Sequence, residues 1–435
     1  MKPSSTNEIH PGKYFARPAA EPCVVFAGKS LASSAISNAE GPLLFLGDAN
    51  TLAALWRVGA GARPGDRVVD LGAPLRLEDA LLSSARERVG RAEGFHLVAV
   101  GGGTINDLAK LLAAEGRRSF SLVGTCASMN GWVSANASIV RAGNKVSVPA
   151  VAPERVLLDD DLLAGAPAAL AAAGIADALC GPFACRDWRL AELADGTGHD
   201  AAIAAAVARS LEPLTECLER GDEPDALRPA LIDALLAGGV AMSEAHSSAP
   251  ASGAEHLVAH AIDLLEIARG ATPTLHGHAV AIGTLLVAAL WEVVDEHLAA
   301  MRPSGAVTPV RPHPAASERA AALAAWLPTL AREAPRVVLA KEAREQARRP
   351  LDALCTEAMA LAPLPSVDRV RAWLRAAGAP TRAAAIHVDA AFLRSALLLA
   401  RDMRDRTTVF DFAHDLGVLP TRLDEVVTRS GLVDR

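Results

Sequence analysis

Residues 95–113 read FHLVAVGGGTINDLAKLLA: an apolar run, three consecutive glycines and then a helical pattern of apolar residues. The apolar run predicts a buried strand, and the glycines mark a tight turn into a helix that begins near Thr104. Gly101, Gly102 and Gly103 let backbone amides approach a ligand closely, and the helix N-terminus adds N–H donors and a positive dipole end. This turn therefore predicts a site for a phosphate or pyrophosphate group.

The next helical turn leaves a second interpretation open. Asp107 and Lys110 follow the glycines at one-turn spacing. They either accompany a phosphate site or form an ion pair on the helix surface beside an ordinary turn. The stretch departs from the GxGxxG pattern of dinucleotide-binding folds, so the turn alone does not decide between the two.

Further apolar runs repeat the strand pattern between about residues 23 and 165. They are CVVFAG, PLLFLGD, RVVDLG and FSLVGT, and helical segments such as NTLAALWRVG and LEDALLSSARERVG lie among them. Strands that alternate with helices predict βαβ units around a largely parallel sheet. Loops beyond the carboxyl ends of such strands bind ligands. Thr125, which ends FSLVGT, and Ser128 and Asn130, which follow it, are therefore expected to form a second wall of the site.

The composition of the chain changes near residue 166. From there to the end, long segments rich in Ala, Leu, Arg and Glu predict an all-helical domain. We therefore predict an α/β domain of residues 1–165 and an all-α domain of residues 166–435. A chain of 435 residues is long enough for two such cores.

Charge and hydropathy exclude some classes of function. The net charge of −7 argues against a dedicated nucleic-acid surface. The N-terminal residues 1–23 lack the continuous apolar region of a secretory signal, and no uninterrupted apolar run reaches the ~18–20 residues of a membrane span. We expect a cytoplasmic protein with no membrane span and no nucleic-acid partner.

Four histidines lie close together in GAEHLVAHAIDLLEIARGATPTLHGHAVAIG, residues 253–283. His256 and His260 are four residues apart and share one helix face, whereas His276 opens an apolar segment and His278 points to another side. A lone histidine on an apolar helix is usually a satisfied core residue. Two histidine clusters on either side of a short loop instead favour a metal site.

Asp177 is the expected anionic ligand of that site. It lies in GIADALC, an otherwise apolar helical pattern, where an uncompensated carboxylate is costly. One aspartate and two histidines leave a coordination position open, which is typical of catalytic rather than structural metal sites.

Taken together, these motifs resemble a known family. GGGTINDLAK, TCASMNGWVSANASI, GIADAL, SSAPASGAEHLVAHAID and LHGHAVAIGTLL occur in the order typical of sn-glycerol-1-phosphate dehydrogenases. That family belongs to the superfamily of glycerol dehydrogenases, iron-containing alcohol dehydrogenases and dehydroquinate synthases. RTTVFDFAHDLGVL resembles its C-terminal segment, so the likeness spans nearly the whole chain. It implies a dehydroquinate synthase-like fold, with an N-terminal Rossmann-like α/β nucleotide-binding domain followed by an all-α metal-binding domain.

The resemblance also implies roles for individual residues. Asp177, His256 and His276 match the metal ligands, while His260 and Asn130 match residues that act on the substrate. The residues matched to the cofactor site are Asp48, Asn50, Thr51, Gly101, Gly102, Gly103, Thr104, Asp107, Lys110, Thr125 and Ser128.

Three departures from the family pattern bear on these roles. Family members usually carry Asp where this chain has Asn130, and a change there alters how a substrate hydroxyl is recognised or its proton handled. GIAD replaces GIGD, and Cys180-Gly181-Pro182 replaces ordinary helical residues. Gly181 stands where iron-dependent alcohol dehydrogenases carry a fourth ligand histidine, so a three-ligand site is expected.

The implied activity is a metal-dependent, NAD(P)-linked interconversion of a secondary alcohol and a ketone. The expected substrate is a polyol phosphate or sugar phosphate, most simply the glycerol 1-phosphate/dihydroxyacetone phosphate pair. The expected cofactors are NAD(H) or NADP(H) and one divalent metal, zinc first, with nickel or iron as alternatives. Lys145, Arg186 and Arg269 either contact the phosphate or are solvated surface charges, and a homodimer or larger homo-oligomer is expected.

Two other functions stay open. A dehydroquinate-synthase-like sugar-phosphate cyclase would use the same metal and regenerate NAD in each cycle, although NGWVSANAS stands where the cyclase pattern has Gly-Gly-Lys. A catalytically degenerate nucleotide-binding homologue is the other alternative, and the Asn130 and Cys180-Gly181-Pro182 departures favour it.

Overall fold

A computed structural model describes residues 7–9, 23–73, 75–301 and 313–434. Most of the N-terminal segment considered above for a secretory signal lies outside these ranges. The described residues pack into two compact units. The first comprises the described residues of Met1–Arg141, Lys145–Gly174 and Ala205–Ser248, and the second those of Ala142–Asn144, Ile175–Ala204 and Ala249–Arg435. The domain boundary after residue 165 stays a prediction, since packing groups the later residues 205–248 with the first unit.

Within the described residues, the first unit is built on a seven-stranded sheet. Its strands are β1 (Asn7–Ile9), β2 (Val24–Gly28), β3 (Leu43–Gly47), β4 (Arg67–Asp70), β5 (His96–Gly101), β6 (Phe120–Gly124) and β9 (Arg155–Asp159), in the order β1-β2-β9-β6-β5-β3-β4. All neighbours except the antiparallel pair β1–β2 are parallel. A separate two-stranded sheet pairs β7 (Asn136–Arg141) with β8 (Asn144–Pro149). The five apolar runs predicted as strands are thus confirmed.

Helices flank the strands of this unit. They are α1 (Leu31–Ser37), α2 (Ala49–Arg57), α3 (Asp79–Val89), α4 (Gly103–Gly116), α5 (Asp160–Ala164), the part of α8 (Ala201–Arg220) from residue 205 on, and α9 (Pro224–Glu244). The strands β3 and β6 are buried along their whole length because helices cover a parallel sheet on both faces. Phe45, Leu55 and Val100 are among the residues at the centre of the resulting core.

The second unit is helical, as the sequence predicts. Its helices are α6 (Ala168–Leu179, from Ile175 on), α7 (Gly181–Asp195), α10 (Ala254–Arg269), α11 (His276–Met301), α12 (Ala316–Trp326), α13 (Ala334–Gln346), α14 (Leu351–Ala358), α15 (Val367–Ala376), α16 (Ala390–Leu399), α17 (Val409–Asp415) and α18 (Leu423–Ser430). The helices α10 and α11 pack closely because Gly283 lies against the backbone of Glu255, where a Cβ atom would overlap the carbonyl oxygen. This approach brings together the two histidine-bearing segments.

Three helical segments have the length and apolar composition of a membrane span: Ala168–Asp195, Pro224–Glu244 and His276–Met301. Most of an apolar 18-residue stretch of each segment is nevertheless buried inside the protein, up to 89% of that stretch in His276–Met301. A helix that is apolar all round and covered by its own protein is a core helix. The burial therefore favours the expectation of no membrane span.

Candidate functional site

The glycine-rich turn joins β5 to α4 as predicted. Its glycines are needed for space, since a Cβ atom at Gly102 would lie 2.8 Å from the sulfur of Cys126 and one at Gly103 would lie 3.1 Å from the side chain of Met129. Gly102 is the N-cap residue of α4 and no side chain caps this end, so Thr104 lies inside the helix rather than capping it. The first-turn amides of such a helix point outward from its N-terminus and suit an anionic group.

Asp107 and Lys110 form an ion pair of 2.9 Å in which the Lys110 side chain is fully buried and that of Asp107 is partly exposed. The Lys110 ammonium group also lies within hydrogen-bond distance of Gly131 O, Ser134 Oγ and Asn136 O. The second carboxylate oxygen of Asp107 accepts a hydrogen bond from the backbone amide of Ser138 at 2.9 Å. We therefore propose that this pair holds the loop after β6 in place instead of touching a cofactor itself.

The loop after β6 leaves the sheet at the same edge as the glycine-rich turn. Gly101 pairs with Gly124 across the two strands, and the Thr125 amide donates to the Gly101 carbonyl at 3.3 Å. Thr125 is buried and Ser128 is partly exposed, with its Oγ 3.4 Å from the Cys126 sulfur. Of the predicted cofactor residues, these two thus lie beside the glycines.

Asn130 lies farther along the same loop, which is seated on helix α9. A Cβ atom at Gly239 would lie 2.6 Å from the Asn130 carbonyl oxygen, and one at Gly238 would lie 3.2 Å from the Asn130 Cβ. Two successive glycines in a helix interior lower its stability. Here they allow the Asn130 backbone to approach α9 closely.

Asp48, Asn50 and Thr51 lie at the start of α2, after β3. Gly47 at the end of β3 pairs with Val100 of β5, so this turn is at the same sheet edge as the others. The Asp48 carboxylate accepts from the amides of Asn50 and Thr51 at 2.8 and 2.9 Å, and Thr51 Oγ1 accepts from the Asp48 amide. Asp48 and Thr51 thus form the capping box that stabilises the N-terminus of α2. A contact of any of the three with a cofactor stays a prediction.

In the second unit, Asp177, His256 and His276 converge. Asp177 Oδ1 lies 3.5 Å from His256 Nε2 and 3.9 Å from His276 Nε2, and one ligand atom from each residue falls within 4.8 Å of the others. Bonds of about 2.0–2.2 Å at tetrahedral angles place ligand atoms about 3.3–3.6 Å apart, close to this spacing. One carboxylate and two imidazoles are also a donor set that zinc and similar ions accept. The group therefore fits a divalent metal.

The surroundings of this group differ from side to side. Asp177 and His256 are buried, while the His276 side chain is 32% exposed and gives access to the group. The His260 ring centroid lies 6.0 Å from that of His256 and 5.8 Å from that of His276, stacked on the latter. His260 is thus adjacent to both histidines without belonging to the set of three.

Two buried acids that the sequence analysis did not single out lie near His256, and one of them contacts its ring. Glu255 Oε1 lies 2.9 Å from His256 Nδ1, and Asp187 accepts the backbone amide of Ala254 at 2.8 Å. Burial by itself lowers the pKa of the His256 imidazole, but hydrogen bonds to Asp177 and Glu255 outweigh it and raise that pKa to about 9. The site favours a positive charge, which either a proton or a metal cation supplies.

The Cys180-Gly181-Pro182 departure lies at the junction between two helices. Helix α6 ends at Leu179, α7 begins at Gly181, and proline in the first turn of a helix loses no hydrogen bond. The Cys180 thiol donates to the Asp177 carbonyl oxygen at 3.1 Å. Cys180-Gly181-Pro182 therefore ends the helix that carries Asp177 and starts the next one.

Arg186 is already engaged inside the second unit. It forms a bidentate pair with Asp295 at 2.6 and 3.0 Å and stacks over the Trp291 ring at 4.1 Å. It is 7% exposed, so the alternative of a solvated surface charge is wrong for this residue. Lys145 is partly exposed and Arg269 is exposed at the end of α10.

Comparison with solved structures finds the same fold. A probable glycerol dehydrogenase from Sinorhizobium meliloti superposes with a TM-score of 0.57, at 18% identity, over 93% of this chain and 97% of that one. Glycerol dehydrogenase from Schizosaccharomyces pombe gives 0.55, at 15% identity, over 94% and 92%. The family of iron-containing alcohol dehydrogenases matches residues 72–167. The chain thus has the fold of this class of dehydrogenases, and its residues 72–167 are similar to iron-containing alcohol dehydrogenases.

Sequence comparison narrows this class. Glycerol-1-phosphate dehydrogenase (NAD(P)+) of Halobacterium salinarum is 35% identical over 253 residues, which cover 54% of this chain and 69% of that protein. The chain therefore belongs to the glycerol-1-phosphate dehydrogenase family. The relative from Pyrococcus furiosus with the same name is 39% identical over 208 residues, 46% of this chain. The match spans only 58% of the length of that relative.

Proposed function

We propose that the protein is a metal-dependent, NAD(P)-linked dehydrogenase that interconverts a secondary alcohol and a ketone. The observation that carries the proposal is the convergence of Asp177, His256 and His276 in a chain whose relatives are named glycerol-1-phosphate dehydrogenases. Those relatives carry NAD(P)+ in their names. A phosphorylated polyol of the glycerol 1-phosphate type is the proposed substrate.

The first unit would bind the dinucleotide. Three turns, which follow β3, β5 and β6, leave the sheet at the carboxyl edge, where parallel sheets bind ligands. The amides at the N-terminus of α4 would hold the pyrophosphate beside Gly102. Thr125 and Ser128 would border the nicotinamide, and the buried Lys110 would keep their loop in position.

The second unit would bind the metal and act on the substrate oxygen. Asp177, His256 and His276 would hold a divalent ion, which when bound polarises the hydroxyl or carbonyl oxygen of the substrate. His260, next to both histidines, would accept or return the hydroxyl proton. Asn130 would contact the substrate or nicotinamide by a neutral amide where the family has a carboxylate.

The proposal extends to the identity of the metal, the choice of cofactor and the oligomeric state. Zinc is the proposed metal, with nickel or iron as alternatives, and either NAD(H) or NADP(H) is the cofactor. We also propose a cytoplasmic homodimer or larger homo-oligomer. The relatives reported above are named dehydrogenases, which favours the redox reaction over the cyclase alternative.

The test is a substrate screen with the purified protein, stripped of metal and reloaded with Zn²⁺, Ni²⁺ or Fe²⁺. The ketones offered with NADH or NADPH are dihydroxyacetone phosphate, dihydroxyacetone and other small ketones. Oxidation of the cofactor is measured as the loss of absorbance of its reduced nicotinamide. We expect metal-dependent oxidation that is fastest with the phosphorylated ketone and is abolished in Asp177→Asn. Binding of metal and NAD(P)H without oxidation by any ketone would support the degenerate homologue instead.

A further inference from the structure

We propose that Glu255 is a positioning residue for the metal ligand His256. It fixes the orientation of the imidazole ring and keeps the ring proton on Nδ1. The inference rests on the metal site proposed above and adds a residue outside the ligand set. Its role can be separated from that of the three ligands by experiment.

The contacts of Glu255 determine which nitrogen of His256 faces the ligand group. Glu255 is fully buried, and its Oε1 lies 2.9 Å from His256 Nδ1. A carboxylate accepts hydrogen bonds, so Nδ1 carries a proton and donates it to Glu255. The other ring nitrogen, Nε2, is then held toward Asp177, 3.5 Å away. Without this acceptor the neutral ring would be free to rotate or to place its single proton on Nε2, where the proton would exclude a metal.

Glu255 is itself held in place, which makes it an effective support. Its Oε1 accepts the Gly253 amide at 2.6 Å, and a Cβ atom at Gly253 would lie 2.9 Å from Glu255 Oε2. Arg406 hydrogen-bonds to the Ser252 carbonyl oxygen nearby. Burial lowers the pKa of the Arg406 guanidinium, while the charges of Glu255 and Asp187 act in the opposite direction. A buried, compensated carboxylate behind a metal-binding histidine orients the ring and strengthens it as a ligand.

Asp187 provides a matched control at the same end of α10. It is also a buried carboxylate, and its two oxygens accept the backbone amides of Ala254 at 2.8 Å and Val409 at 3.0 Å. Its hydrogen bonds thus stabilise the helix start and not the ring of His256. Asp187→Asn, which replaces this carboxyl group by an amide, tests whether any effect of Glu255 is merely that of a buried acid at a helix N-terminus.

The experiment compares Zn²⁺ affinity in the full-length protein, Glu255→Gln, Glu255→Ala and Asp187→Asn, by competition with a chromogenic chelator. Glutamine keeps the size and an oxygen acceptor but loses the charge, and alanine loses both. We expect Zn²⁺ affinity to fall about 10-fold in Glu255→Gln and about 100-fold in Glu255→Ala, the range typical of such supporting groups. Asp187→Asn should stay within about threefold of the parent, although its melting temperature falls.

The outcomes separate this inference from the function on which it rests. Thermal unfolding of each metal-free protein shows whether a variant is folded, and the visible spectrum of bound Co²⁺ reports the ligand geometry. If the parent binds Zn²⁺ and Glu255→Gln binds it equally well, the positioning role is wrong while the metal site stands. If Asp187→Asn loses as much affinity as Glu255→Gln, the effect is a general one of the helix start and the inference is also overturned. If the parent binds no Zn²⁺, Co²⁺ or Ni²⁺, the proposed metal site fails, and this inference with it.

Discussion

The ammonium group of Lys110 lies 2.7 Å from the carbonyl oxygen of Gly131, so a buried cation ties helix α4 to the loop after β6. The partner carboxylate of Asp107 lies on the same helix, 2.9 Å away. The lysine thus reaches across to the loop while its charge is balanced within α4. The pair therefore holds in place the loop that borders the proposed cofactor site, without contacting the cofactor itself.

Substitution Lys110→Met should destabilise the protein and weaken the binding of NADH together. It leaves the carbonyl oxygens of Gly131 and Asn136 without their donor, and a buried acceptor that loses its partner typically costs about 1–3 kcal/mol. Urea denaturation of the full-length protein measures the free energy of unfolding, and titration with NADH, followed by fluorescence, measures its dissociation constant. Lys29→Met, at an exposed lysine of the same unit, is the control and should change neither. Weaker NADH binding at unchanged stability would indicate direct contact with the cofactor instead.

Substitution Gly102→Ala should weaken dinucleotide binding through a contact inside the protein. The new methyl group would meet the Cys126 sulfur at 2.8 Å, and overpacking of this kind typically costs about 1–3 kcal/mol. The double variant Gly102→Ala/Cys126→Ala removes the sulfur and should recover most of the NADH affinity. Gly61→Ala is the matched control, since nothing lies within 4 Å of a Cβ atom there. If the double variant binds NADH as poorly as Gly102→Ala, the glycine is required by the ligand and not by Cys126.

Local patterns in the sequence were sufficient for much of the fold. Five apolar runs, each bounded by glycine or a polar residue, became strands of one sheet, because such runs are long enough for a buried parallel strand. The three glycines between an apolar run and a helical pattern likewise predicted the turn that joins β5 to α4. Asp177 was conspicuous as a charge within an apolar helix, and the structure brings it to His256 and His276.

What the sequence did not reveal depends on tertiary packing. Lys110 is spaced like a surface partner of Asp107, and only the position of the loop at Gly131 buries it. Glu255 precedes a candidate ligand in an apolar helix, which is the same signal that marked Asp177, but adjacent helical residues are not expected to interact. Their contact arises because Glu255 bends back to the helix start at Gly253. The grouping of residues 205–248 with the sheet likewise has no local signature.

Acid should destabilise the second unit through His414. Burial lowers the pKa of His414 from 6.5 to about 4, and the charges of Arg401 and His313 add to the effect. The unfolded chain therefore binds a proton between pH 6.5 and 4 that the folded chain does not, and stability falls as the pH falls through this range. The slope from one such group approaches about 1.4 kcal/mol per pH unit.

The variant His414→Gln should flatten this dependence. Its denaturant midpoint is compared with that of the parent at several values of pH between 7 and about 4, the window in which a histidine of depressed pKa takes up a proton only on unfolding. His387→Gln, at an exposed histidine of the same unit, should leave the parent slope unchanged. A parent slope equal to that of His414→Gln would show that His414 is not kept neutral by its surroundings.

Restoring a carboxylate by Asn130→Asp should raise kcat/KM for dihydroxyacetone phosphate. The Asn130 backbone is held against α9, where a Cβ atom at Gly239 would lie only 2.6 Å from its carbonyl oxygen, so the isosteric change alters charge and not position. Asn136→Asp adds the same charge at the first residue of β7 and is the control. The variants are compared in steady-state assays with NADH, whose dissociation constant should differ little between them. An increase in both variants would indicate a general field effect, and no increase in Asn130→Asp would exclude residue 130 as the group that handles the substrate hydroxyl.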